Sequence, residues 1–266
     1  MEHKRYALPD TFRGLILLSM LTYHTVWDMV YIFGQEWTWF ESYSAYIWQQ
    51  SICWSFILLS GFCWSFGKRK LKRGLTVFGA GVIITLATIV FMPENRVVFG
   101  VLTLLGSSML FMIPLEKVMR KVNPYIGLVC AFFLFLYAKD ISYGHLGWKE
   151  FGYIRLPQEW YCNLFSAYWG LPAGEFFSSD YFGIFPRLIL FVTGYFVFRI
   201  FERNRWMDVL KVGGIKPLEV LGKNSLLVYM VHQPLVYGVL TVVYRVMGKA
   251  VHSQSFTLLA SRAYAL

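Results

Sequence analysis

The chain has 266 residues, of which 57% are hydrophobic, 19% aromatic and only 15% charged, with 25 Lys and Arg against 15 Asp and Glu for a net charge of +10. Soluble domains carry about a quarter charged residues, and here the apolar residues stand in continuous blocks long enough to cross a bilayer. That excludes a soluble globular enzyme, a disordered chain, a secreted disulfide scaffold and, since the blocks do not alternate with period two, an outer-membrane barrel.

The excess positive charge reads as the cytoplasmic loops of a membrane protein, with no nucleic-acid partner expected. Lys4, Arg5 and Arg13 precede the first apolar block, which lacks a small-residue cleavage site and reads as a retained helix, not a signal peptide. Spans are expected at 14–33, 46–66, 75–92, 97–113, 124–138, 181–201 and 225–247. The expected fold is all-α: a polytopic integral membrane helical bundle of about seven transmembrane helices. Lys and Arg gather in alternate connections: 68–73, 117–121 and 199–223 join the N-terminus on one side. By the positive-inside rule the N-terminus is cytoplasmic and the C-terminus lies outside. Residues 1–250 form one domain in this reading, and the tail 251–266 is unassigned. The four cysteines, Cys53, Cys63, Cys130 and Cys162, show no ligand spacing, so no metal is expected.

Between spans five and six runs a long connection, 139–180, rich in Trp and Tyr. Two readings stand side by side: an aromatic cap at the membrane interface, and a sugar-stacking surface or re-entrant segment around 164–171. Loops of this length are usually functional.

Ionisable side chains inside hydrocarbon are costly, which makes each a functional candidate. His24 and Asp28 fall in the first span and His232 in the last. Arg13 lies eleven residues before His24, ~16 Å along a helix and on the same stripe. Asp28 follows His24 at i+4, within reach of the imidazole N–H. Arg13, His24 and Asp28 are therefore expected to form a polar seam facing the bundle interior. In the last span, Asn224 and Ser225 are placed as helix caps, and His232 stands ~10 Å deeper on the face of Ser225. Gln233 and Pro234 follow, the proline freeing backbone carbonyls one turn back. If the first and last helices pack together, the two histidines line one cavity. The competing reading makes these residues interhelical hydrogen-bonding glue. Asp10, three residues before Arg13, reads as its ion-pair partner. The run 68–73 sets topology and touches anionic lipid, or forms a phosphate-binding rim.

The segment Asp10-Thr11-Phe12-Arg13-Gly14, followed by His24 and Asp28, resembles the first span of bacterial proteins related to the catalytic domain of heparan-alpha-glucosaminide N-acetyltransferase. Leu58-Leu59-Ser60-Gly61-Phe62, Lys72-Arg73-Gly74-Leu75, Phe99-Gly100-Val101-Leu102, Asp180-Tyr181-Phe182, and Leu221-Gly222-Lys223-Asn224-Ser225 through His232-Gln233-Pro234 continue the likeness in order. The spacing of Arg13 and His24 is also similar to the signature of the acyltransferase-3 membrane family.

The resemblance implies an integral membrane enzyme of the bacterial cytoplasmic membrane, with the lipid bilayer as its surroundings. It would move an acetyl group from acetyl-CoA to an amine or hydroxyl of a sugar or glycoconjugate on the other side. His24 would be the general base and Asp28 its orienting carboxylate. Arg13, Lys70, Arg73 and Asn224 would hold the coenzyme, and His232, Gln233, Asp180 and Tyr181 would line the substrate channel. Direct transfer and an acetyl-enzyme both remain open, as does a homodimer. The rival reading is a proton-coupled transporter or flippase that uses the same His/Asp seam without acyl transfer.

Overall fold

The computed structural model describes residues 6–148, 152–211 and 214–247. The expected tail 251–266 and the basic pair Lys4 and Arg5 lie outside the described residues. The nine helices found among the described residues are α1 (Ala7–Tyr31), α2 (Tyr43–Trp64), α3 (Lys70–Phe91), α4 (Val101–Met119), α5 (Pro124–Ala138), α6 (Leu164–Trp169), α7 (Ile184–Arg203), α8 (Lys216–Lys223) and α9 (Ser225–Val246). A helix stands at each of the seven expected spans. Five of them, α3, α4, α5 with the turns after it, α7 and α9, are long and apolar enough to cross a membrane. The protein is an all-α integral membrane protein. Helices α1 and α2 have the length, 25 and 22 residues, but their polar residues keep them outside that group of five.

Helix ends differ from expectation where local chemistry overrides hydropathy. α1 starts seven residues earlier than the first expected span. Pro9 stands in the first turn, where no backbone N–H is needed, and Asp10 complements the helix dipole. α4 runs through Pro114 to Met119. Glu116 pairs with Arg120 one turn on, and Lys117 stands in the last turn, both favourable at a C-terminus. α4 also starts at Val101, not 97, because Phe99 has φ 57° and Gly100 forms the N-cap. α7 starts at Ile184, and Phe185, held extended by the proline after it, has φ −91° and ψ 133°.

The backbone forms two compact units. One comprises Met1–Phe56 with Asp208–Leu266, the other Ile57–Met207. In the first, α1 lies against α8 so closely that a Cβ on Gly14 would meet the Leu218 carbonyl oxygen at 2.0 Å, and one on Gly222 the Asp10 oxygen at 1.9 Å. Further along, Phe33, two residues past the end of α1, packs against Leu240 and Tyr244 of α9. Trp48 donates to Ser19 Oγ at 2.9 Å and, with Phe40, surrounds the Tyr23 ring.

In the second unit small residues again set close approaches, as is common between membrane helices. Gly81 meets Thr103 and Gly106 meets Phe78 across α3 and α4, and Gly127 meets Phe196 across α5 and α7. The long connection after α5 has structure of its own. Strands β1 (His145–Trp148) and β2 (Gly152–Arg155) pair antiparallel, His145 opposite Arg155. Helix α6 follows, opened by a capping box on Asn163. Its Tyr168 hydroxyl donates to Ser107 at 2.7 Å, and Trp169 packs against Phe111 with ring centroids 5.5 Å apart. Phe111 stands ten residues into α4, ~15 Å along it, so α6 dips back among the helices of its unit.

Candidate functional site

The polar seam expected on α1 meets α9. The His24 and His232 rings lie 4.9 Å apart between centroids, tilted by 59°. Four residues along α1, Asp28 has no exposed surface, and its Oδ1 accepts a hydrogen bond at 2.7 Å from Nε2 of Gln233, the residue after His232. The i+4 spacing predicts Asp28 as the partner of His24, but its carboxylate is turned across the interface to Gln233. An amide donor on the facing helix reaches the carboxylate directly, and His24 packs its ring against His232 and Tyr23. His232 is 7% exposed, and its Nδ1 lies 2.6 Å from the Tyr229 carbonyl oxygen. Since a carbonyl only accepts, the proton is on Nδ1.

Three buried atoms of this seam have no hydrogen-bond partner among the described residues: Asp28 Oδ2, His232 Nε2 and Gln233 Oε1. Leaving even one such group bare costs roughly 1–3 kcal/mol. With Nδ1 protonated and Nε2 bare, His232 Nε2 accepts only, as Gln233 Oε1 always does. The seam lacks donors.

Arg13 and Asn224 lie at one end of this arrangement. Arg13 Nη1 bonds Asp10 at 2.9 Å and reaches the Gly222 carbonyl at 3.5 Å, which ties α1 to α8. Asn224 departs from its expected role. It makes no side-chain cap on α9, and its amide donates back to the Val220 carbonyl at 2.9 Å. α8 ends at the residue before it, so the nearest unsatisfied groups are the last carbonyls of α8.

The remaining predicted residues belong to the other unit. Lys70 bonds Glu116 at 2.8 Å and stands 3.8 Å from the centroid of the Trp64 ring. Glu116 also takes Arg120, so Lys70 is engaged in a structural network. The signal for Glu116 was an i+4 acid–base pair inside a basic connection. The guanidinium of Arg73 lies over Gly67, where a Cβ would meet Nη1 at 2.4 Å. Tyr181 donates its hydroxyl to the Ala167 carbonyl and packs against Phe176. Asp180 borders Gly100, at which a Cβ would lie 3.2 Å from Oδ2. Among the described residues no group of three metal-ligating side chains forms.

A family model described as heparan-alpha-glucosaminide N-acetyltransferase, catalytic, matches residues 5–234. No curated protein and no solved structure matches the chain.

Proposed function

The chain belongs to the heparan-alpha-glucosaminide N-acetyltransferase catalytic family, a family of membrane acetyltransferases, and from that premise we propose that it transfers an acetyl group from acetyl-CoA to an amine or hydroxyl of a sugar or glycoconjugate across the bacterial cytoplasmic membrane. The observation that carries this reading is the pairing of two histidines at 4.9 Å beside a buried carboxylate, on helices from opposite ends of the chain. Glue between helices needs no such cluster of unsatisfied acceptors, whereas a nucleophile that brings its own N–H or O–H fills them.

In this reading the single domain over 1–250 crosses the membrane seven times, with the N-terminus in the cytoplasm. α1 crosses with α2 although it carries ionisable residues, because Asp10 and Arg13 face α8 and His24 and Asp28 face α9. His24 and Asp28 are the catalytic residues, in a seam where a histidine exchanges a proton with the reacting groups. Arg13 uses Nη1 for Asp10 and Gly222, which leaves its other nitrogens for a phosphate of the coenzyme. Asn224 follows Gly222 by two residues in the same unit. His232 and Gln233 line the acceptor's route.

The test uses the purified protein in liposomes, with radiolabelled acetyl-CoA outside and glucosamine inside. Acetylated sugar in the lumen and a matching amount of free coenzyme A are expected. Sugar or proton uptake with no thioester cleavage would instead identify a transporter.

A further inference from the structure

The proposed reaction needs one group to take the proton of the attacking nucleophile, and two histidines stand at the seam. The geometry points to His232 as that proton acceptor, an inference that rests on the acetyl-transfer reading and adds to it. Three observations converge. First, Nδ1 of His232 lies 2.6 Å from the Tyr229 carbonyl. This fixes the proton on Nδ1 and leaves the lone pair on Nε2, since the hydrogen bond of one ring nitrogen decides the state of the other. Second, Nε2 is fully buried and bonded to nothing, so the basic lone pair is held ready with no protein group to quench it. Third, the carboxylate expected to orient His24 is bonded to Gln233, and among the described residues the His24 ring has ring contacts but no hydrogen bond.

An oriented base is one whose far nitrogen is anchored by an acceptor. His232 has that anchor in the backbone of its own helix, and His24 lacks one. Pro234, inside α9, has no N–H to give the Met230 carbonyl four residues back. Gln233 Oε1 or Asp28 Oδ2, the other bare atoms, would take the second hydrogen of an incoming amine.

The lone pair of the acceptor's nitrogen or oxygen forms a bond to the acetyl carbonyl carbon of acetyl-CoA, and the carbon–sulfur bond breaks. The proton leaving the nucleophile goes to His232 Nε2, making an imidazolium that stays anchored at the Tyr229 carbonyl. That proton then passes to the coenzyme A thiolate. Acetylated acceptor and free coenzyme A leave, and the ring is neutral again. His24 stands against the ring of His232.

The experiment uses the full chain in lipid nanodiscs with acetyl-CoA and glucosamine, comparing wild type, His24→Ala and His232→Ala. General-base catalysis contributes on the order of 10²–10⁴-fold, so His232→Ala should lose that much in kcat while KM for acetyl-CoA moves only a few-fold. Added imidazoles should restore part of the rate, and more strongly basic imidazoles should restore more, a dependence that mere refilling of a gap does not produce. Activity within a few-fold of wild type, absence of rescue, or rescue indifferent to basicity each overturns the assignment. Nitrogen-15 NMR of histidine-labelled protein reads the tautomer without turnover. His232 should be protonated on Nδ1, and protonation on Nε2 overturns the inference. A silent wild type refutes the acetyl-transfer reading and the inference with it, whereas an active wild type with an active His232→Ala refutes the inference alone.

Discussion

Gln233→Leu removes the one hydrogen bond made by the carboxylate of Asp28, a residue with no exposed surface whose other oxygen is already bare. A hydrogen bond to a charged group is worth about 1.5–3 kcal/mol net in soluble proteins. Interhelical hydrogen bonds in membranes average about 0.6 and reach about 1.7 kcal/mol, because the dispersed helices find other partners. The Asp28–Gln233 pair, short at 2.7 Å and fully enclosed, belongs at the top of the membrane range, about 1.5 kcal/mol. Asp28→Leu should also destabilise, since it strands both ends of the Gln233 amide. The double variant Asp28→Leu/Gln233→Leu replaces both partners by apolar groups and should be far milder than the sum of the singles. The assay is reversible unfolding in mixed micelles, read as a double-mutant cycle. A coupling energy near 1.5 kcal/mol is expected. Additivity within about 0.5 kcal/mol would show that the two residues do not interact as described.

Gly222→Ala places a Cβ 1.9 Å from the Asp10 carbonyl oxygen, so α8 must move away from α1. Overpacking costs about 1–3 kcal/mol, and a lowered thermal midpoint in detergent checks it. In the network at Lys70, Lys70→Ala should cost about 1 kcal/mol, since Glu116 keeps Arg120. Glu116→Ala should cost more, because it leaves two cations unpaired; the order of the two losses in chemical unfolding is the test. Tyr168→Phe deletes the bond to the buried hydroxyl of Ser107, worth about 1 kcal/mol. Faster hydrogen exchange should be confined to α6 and its flanks.

The apolar blocks placed all seven long helices, because burying apolar residues in lipid leaves a signal in every stretch of ~20 residues. Helix ends were harder to read: Pro9 is tolerated in the first turn of α1, and α4 continues through Pro114 to Met119. The hairpin at His145–Arg155 and the return of α6 to Ser107 depend on contacts between distant residues that no window reveals. At the site, the i+4 spacing correctly brought His24 and Asp28 to one face. It could not show that Gln233, from the far end of the chain, would compete successfully for the carboxylate. His232 carried the converse lesson, since its tautomer depends on a backbone carbonyl three residues back.

The central claim is that a histidine at the junction of α1 and α9 takes part in acetyl transfer. The most direct measurement is the initial rate of acetyl-glucosamine formation by the double variant His24→Ala/His232→Ala, reconstituted and correctly inserted, beside wild type. A loss of at least 100-fold, in the range general acid–base groups supply, is predicted. A rate equal to that of wild type would contradict the account.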